Sequence, residues 1–176
     1  MNLANKLTCF RVVLIPVFLV LLYLDFPGHL IAALVVFIVA SLTDTADGYI
    51  ARHYDMVTDF GKFMDPLADK LLVMAAMVWF VAAGWMPAWA FFIVIARELA
   101  VTGLRLVAVE QGRVIAAAKS GKVKTASTMV CICLMLLLSN AATLRLVCVW
   151  IILLTTIYSG VEYFIKNRDV LANGEM

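Results

Sequence analysis

The chain is poor in charge. Asp, Glu, Lys and Arg make up 15% of its 176 residues, where a soluble domain carries about 25%. Hydrophobic residues supply 65%, against about 45–50% in a soluble domain, and the mean hydropathy is +1.01. This excludes a soluble domain with a single anchor and predicts an integral membrane protein. Cysteine is scarce as well: Cys9, Cys131, Cys133 and Cys148 lie in or beside apolar runs. Cys131-x-Cys133 lacks the two-residue spacer of redox and zinc pairs, so all four read as small buried hydrophobes. The two histidines, His29 and His53, have no partner in the sequence and read as surface residues. There is no internal repeat and no low-complexity tract. No small-x-small cleavage site follows the apolar run from Val12 to Leu24, so the first helix is expected to be retained.

A membrane span takes about 20 apolar residues, which leaves room for six or so helices and a single domain over residues 1–176. The apolar runs and their interruptions place spans near 8–24, 30–52, 60–83, 87–108, 123–139 and 143–165. Breaks fall at Pro27-Gly28, at His53 to Asp59, at Gly84-Trp85-Met86-Pro87, at Gly112 to Lys122 and at Ser139-Asn140. Single-chain spans must satisfy their own backbone hydrogen bonds. The expected fold is therefore all-α, a polytopic integral membrane bundle of six transmembrane helices with a short N-terminal surface segment. The tail from Asn167 is expected to fray. With the N-terminus cytoplasmic, Arg145 is the one basic residue beside an outer loop. Lys6, Arg11, Arg52, Lys62, Arg113, Lys119, Lys122, Lys124, Lys166 and Arg168 then lie at the inner face. The positive-inside rule thus places both termini in the cytoplasm, and membrane lipids, not nucleic acid, are the expected surroundings.

Against this background one stretch stands out. Residues 44–69 hold six of the twelve acids: Asp44, Asp47, Asp55, Asp59, Asp65 and Asp69. A carboxylate at lipid depth costs about 2.5–3.5 kcal/mol, and four cost on the order of 10–14 kcal/mol unless compensated. Asp44, Asp47, Gly48, Ala51 and Arg52 share one stripe of a helix, and Gly61, Asp65 and Asp69 share a stripe of the next. Asp44 lies eleven residues before Asp55, near the linker centre, and Asp65 ten residues after it. Antiparallel helices would hold both at similar depth, roughly 15 Å along the axis. Carboxylate-only sites favour hard cations such as Mg²⁺ or Mn²⁺. Four carboxylates balance two such ions, the two-metal arrangement used for displacement at phosphorus. Gly48 and Gly61 leave space beside the acids, and Arg52 offers a fork to phosphate oxygens.

The pattern Asp-x2-Asp-Gly-x2-Ala-Arg-x8-Gly-x3-Asp-x3-Asp, met at all eight fixed positions, resembles the signature of the CDP-alcohol phosphotransferases. At residue frequencies of roughly 5–8% per position, chance gives about 10⁻¹⁰ per start position. The resemblance implies that Asp44, Asp47, Asp65 and Asp69 hold two metal ions and that Asp69 also deprotonates the acceptor alcohol. It implies that Gly48, Arg52 and Thr58 contact the CDP-lipid, with Gly61, Asn5 and Thr8 in the same pocket. The alkoxide would attack the β-phosphorus and release CMP. Thr8 and Arg11 have a second reading, capping the first helix and snorkelling to lipid phosphates.

The acceptor must be chosen elsewhere. Arg97 and Arg105 lie on one face of the fourth helix with Glu98 beside them, and an intramembrane arginine pair is costly unless it pairs with the aspartates or binds an anionic substrate. Lys122 and Lys124 add two cations at the start of the fifth. Together these could grip a phosphate on the acceptor, for which an uncharged alcohol has no use. Further motifs resemble the branch of the family whose donor is CDP-diacylglycerol and whose acceptor is sn-glycerol 3-phosphate. They are Asn5-x2-Thr8-x2-Arg11 with Leu14-Ile15-Pro16, Asp65-Pro66-Leu67-Ala68-Asp69-Lys70, Ala96-Arg97-Glu98 and Gly121-Lys122-Val123-Lys124-Thr125. Two positions depart from that branch: Ala4 stands where Pro is usual and Thr128 where Gln is frequent. The resemblance further implies a homodimer and a bacterial-type cell membrane, with the active site on the cytoplasmic face. Three other readings compete: another acceptor within the family, intramembrane prenyl transfer, and ion-coupled transport. Prenyl transfer would call for Asn-Asp-x2-Asp motifs and more helices. Transport would call for paired repeats or broken helices at the midplane.

Overall fold

A computed structural model of the chain describes residues 3–53, 59–116 and 118–172, with side chains over 8–43, 64, 67–116 and 118–170. All regular structure among the described residues is helical. The helices are α1 (Leu3–Tyr23), α2 (His29–His53), α3 (Asp59–Ala82), α4 (Ala88–Glu110), α5 (Lys119–Leu137), α6 (Ala142–Lys166) and α7 (Arg168–Ala172). The six long helices stand on the six apolar runs, each end within five residues of the expected one. The expected N-terminal surface segment is not a separate element, because Leu3–Tyr23 is one continuous helix.

Among the described residues, α5 and α6 are long and apolar enough to cross a membrane, and Thr8–Tyr23 and His29–Thr43 form shorter apolar stretches. In α3 and α4 the interruptions are Asp65, Asp69 and Lys70, and Arg97, Glu98 and Arg105. These charged residues are what separates each of the two helices from a plain span.

The chain divides into two compact units. The first comprises residues 1–83 and 133–140. In it α1 packs on α2 and α3. Phe18, Leu22, Ala33, Phe37, Ala40, Ala68, Leu72, Ala76 and Phe80 are buried, and the Phe18 and Phe37 rings meet at 5.7 Å. The alanines let helices approach closely, the packing mode expected where lipid removes the hydrophobic drive between helices. Val13, Val20, Val35 and Leu42 stay exposed, an apolar exterior suited to acyl chains. His29 is not partnerless: its Nδ1 lies 3.3 Å from the Leu21 carbonyl oxygen. A cavity of about 510 Å³ opens between Asp25–Ile31 and Leu136 and Ser139. It sits at the far end of α2 from Asp44, roughly 20 Å along the axis.

The second unit comprises residues 84–132 and 141–176. Here α4 packs on α6 and α7, with Val101, Leu104, Ala108, Tyr163 and Val170 forming a buried cluster. α4 ends in a Schellman motif: Gly112 takes a φ of 73°, its N–H bonds to Val109 O, and the Arg113 N–H bonds to Ala108 O. A left-handed residue at this position closes the last carbonyls, and glycine adopts it without a Cβ penalty. The tail does not fray from Asn167. Asn167 Nδ2 donates to Tyr163 O at 2.8 Å, Val170 is buried, and Gln111 Nε2 donates to Val170 O at 3.1 Å. The polar residues that made this segment look solvated are the ones that tie it down. Arg145 sits over the Trp85 ring at 4.6 Å, a cation–π contact, and Trp89 meets Trp150 at 6.5 Å. Cys131 and Cys148 are buried, Cys9 and Cys133 half-buried, and all four are free thiols.

Candidate active site

The acidic motif straddles two helices of the first unit that touch each other and both touch α1. Asp44, Asp47, Gly48 and Arg52 occupy the last turns of α2, and Gly61, Asp65 and Asp69 the first turns of α3. The helical spacing expected of the motif is therefore present in the backbone, with each aspartate pair one turn apart. Thr58 lies outside the described residues. The side chains of Asn5, Asp44, Asp47, Gly48, Arg52, Gly61 and Asp65 lie outside the described side chains. Just before the motif, Ser41 and Thr43 turn their hydroxyls back onto Phe37 O at 2.9 Å and Val39 O at 2.7 Å. These bonds satisfy the two hydroxyls within the helix.

Asp69 is half-buried, between the buried Ala68 and Leu72. Thr8 and Arg11 are buried too, at 1% and 0% exposure, and both have interaction partners. They extend the stripe of Ile15, Phe18 and Leu22 down the buried face of α1. This sets aside the snorkelling reading, since a guanidinium reaching for lipid phosphates would be exposed. A charge held this deep requires compensation by neighbouring polar groups.

Among the described residues no three His, Cys, Asp or Glu gather into a metal-binding group. The four aspartates are a set of oxygen donors in two helical pairs, without His or Cys. That donor chemistry fits a hard divalent cation and does not favour zinc or copper.

The basic residues of the second unit are more fully described. Arg97 and Lys124 converge on Glu98: Oε1 accepts from Arg97 Nη1 at 2.9 Å and from Lys124 Nζ at 2.7 Å. All three side chains are 7–14% exposed. Arg97 Nη2 also donates to Ser159 Oγ at 2.7 Å. Eight residues further along α4, Arg105 Nε donates to Tyr163 Oη at 2.8 Å and its guanidinium lies 5.6 Å from that ring centre. Lys122 is exposed. Three of the four expected cations thus belong to one α4–α5–α6 arrangement. Sequence reasoning missed Ser159 and Tyr163, and it read Glu98 only as a neighbour. The available signal was Ser159-Gly160 with Tyr163 one turn on, a small and polar interruption in the last long helix.

The family model for CDP-alcohol phosphatidyltransferases matches residues 1–158. The chain belongs to this family. It is 41% identical to the CDP-diacylglycerol–glycerol-3-phosphate 3-phosphatidyltransferase of Bacillus subtilis (strain 168), over 97% of both chains. It is 42% identical to the Escherichia coli (strain K12) protein of the same name, over 73% of each. A Rickettsia bellii (strain RML369-C) protein of that name is 33% identical over 93% of each. The family is one of membrane enzymes that are generally metal-dependent.

Proposed function

We propose that this protein transfers the phosphatidyl group of CDP-diacylglycerol to sn-glycerol 3-phosphate, giving phosphatidylglycerophosphate and CMP. The observation that carries the reading is the 41% identity, across 97% of both chains, to a relative bearing the name of this activity. The complete acidic motif on α2 and α3 supports the donor half. In this reading Asp44, Asp47, Asp65 and Asp69 hold two Mg²⁺ or Mn²⁺ ions. When bound, these would neutralise the diphosphate and stabilise the charge that develops on the departing CMP. Asp69 takes the proton of the acceptor hydroxyl. The freed oxygen attacks the β-phosphorus of the CDP-lipid, and the bond to the CMP phosphate breaks. Asn5, Thr8, Gly48, Arg52, Thr58 and Gly61 hold the donor. Arg97, Arg105, Lys122 and Lys124 grip the acceptor phosphate. Six spans, cytoplasmic termini and a cytoplasmic active site follow from the placement of the basic residues. A homodimer in the cell membrane, in contact with membrane lipids, completes the reading.

The test is direct. Purified protein with CDP-diacylglycerol, Mg²⁺ and glycerol 3-phosphate releases CMP, EDTA stops the reaction, and added Mg²⁺ restores it. Serine, inositol and inositol phosphate are then offered in the same assay, and faster release with any of them overturns the acceptor assignment.

A further inference from the structure

The guanidinium of Arg97 is held in a slot built by three helices. Nη1 is fixed by Glu98 on its own helix and Nη2 by Ser159 on α6. Ser159 is 1% exposed, so its hydroxyl is not a surface group that met the arginine by chance. The slot is also shaped by what is missing. A Cβ on Gly160 would come within 3.1 Å of Arg97 Cγ, and one on Gly121 of α5 would lie 3.9 Å from Nη2. Gly160 therefore admits the arginine stem at a distance that alanine would crowd. One nitrogen is left without a partner: Arg97 Nε is buried and makes no hydrogen bond. A buried charged N–H without an acceptor is expensive, and an arriving anion would supply what it lacks. Lys124 Nζ, tied to the same Glu98 oxygen, adds positive charge beside it.

We infer that Ser159 and Gly160 are positioning residues that set acceptor specificity, by holding the Arg97 guanidinium in one place for a phosphomonoester. Neither touches the acceptor. Ser159 fixes the far end of the guanidinium, and Gly160 leaves room for its stem. The inference rests on the proposed acceptor reaction and deepens it. A guanidinium fixed beforehand loses little freedom when it binds, and that preorganisation would appear in the acceptor's affinity.

The experiment compares wild type, Ser159→Ala, Gly160→Ala, Arg97→Lys and the double variant Ser159→Ala/Arg97→Lys, each checked for monodispersity and thermal stability in detergent. The expected result for each α6 variant is an apparent KM for glycerol 3-phosphate raised about tenfold, a loss of one hydrogen bond's worth of binding. The KM for CDP-diacylglycerol stays within twofold, on the order of the noise between distant sites. In the Arg97→Lys background Ser159→Ala should add nothing, because its effect passes through the guanidinium. An unchanged acceptor KM, equal losses for both substrates, or additive effects in the double variant would each overturn the inference. Should Gly160→Ala fail to fold, the Ser159 cycle decides alone. If wild type ignores glycerol 3-phosphate, the proposed function has failed, and that is distinguishable because wild type is assayed first.

Discussion

The acidic stretch and the basic cluster solve opposite charge problems. Between residues 44 and 69 the sequence holds six aspartates and two cations, Arg52 and Lys62, so the stretch has a local deficit of positive charge. The basic cluster contains its counter-charge: Glu98 sits between Arg97 and Lys124 and bonds to both. On the proposed function, the first region is completed by the metal it binds. The second is largely complete without a ligand and leaves one nitrogen, Arg97 Nε, without a hydrogen bond. On that same proposed function, the difference is that between a site completed by metal and one that selects among substrates.

The sharpest way to break this comparison is Asp69→Asn. If Asp69 is the base, turnover falls by about 10²–10⁴-fold while the purified protein stays monodisperse in detergent. Near wild-type CMP release from the variant would remove Asp69 from that role. The same deficit makes a prediction that needs no substrate. Mg²⁺ at about 100 times its dissociation constant should stabilise wild type by about 2.7 kcal/mol, read as a rise in Tm that EDTA reverses. Asp47→Asn should lose most of that rise. A Tm indifferent to Mg²⁺ would mean the aspartates are neutralised in some other way.

In the basic cluster the largest effect falls on stability. Glu98→Ala leaves Arg97 and Lys124 buried side by side with no carboxylate between them. Removing one partner of a buried pair costs about 3–5 kcal/mol, visible as a large drop in Tm with or without Mg²⁺. Should the variant melt like wild type, Glu98 would not be the counter-ion the geometry makes it.

How much could be read from the sequence differed between the regions for a physical reason. The helices and the acidic stripes are local: 3.6-residue periodicity and one turn of spacing place Asp44 with Asp47 and Asp65 with Asp69, without any knowledge of packing. The polarity of Ser41 and Thr43 before the motif is local as well. The basic cluster is not. Arg97 and Ser159 are separated by 62 residues and Lys124 and Glu98 by 26, and no periodicity says that α4, α5 and α6 bring them together. The same limit explains Arg11, for which the sequence left an exposed role and a pocket role both open, and which the packing of α1 buries. The tail erred the other way. Asn167 and Asp169 look like solvated residues until Tyr163, Gln111 and Arg113 are seen to hold that segment.

A smaller effect separates the two arginines of α4. Arg105 is exposed and leans on Tyr163 through a hydrogen bond and the face of the ring. Arg105→Ala should raise the acceptor KM more than the donor KM, by roughly tenfold if one charge-assisted hydrogen bond to the phosphate is lost. Tyr163→Phe keeps the ring and removes the hydroxyl, so its effect should be a fraction of that. A rise confined to the donor KM would assign Arg105 to the CDP-lipid instead.

The smallest expected effect calibrates the contrast between buried and exposed charge. Arg113 and Asp169 form an ion pair in which both side chains are about half exposed. The hydrogen bond from Arg113 holds the Asp169 carboxyl below its ordinary value of 3.8. A carboxyl lowered in the folded state contributes stability above its unfolded value and loses it as pH falls through the lowered one. Wild type should therefore melt slightly above Asp169→Asn at neutral pH, and the gap should close as the pH is taken below the ordinary carboxylate range. High salt should narrow it at any pH, since exposed charges are screened within about 10 Å at 0.1 M ionic strength. The gap should also be far smaller than the one opened by Glu98→Ala, because water already solvates both partners. If the two substitutions proved equally costly, burial would not be what distinguishes the Glu98 network, and its three charges would be no more committed to one another than a pair on the surface.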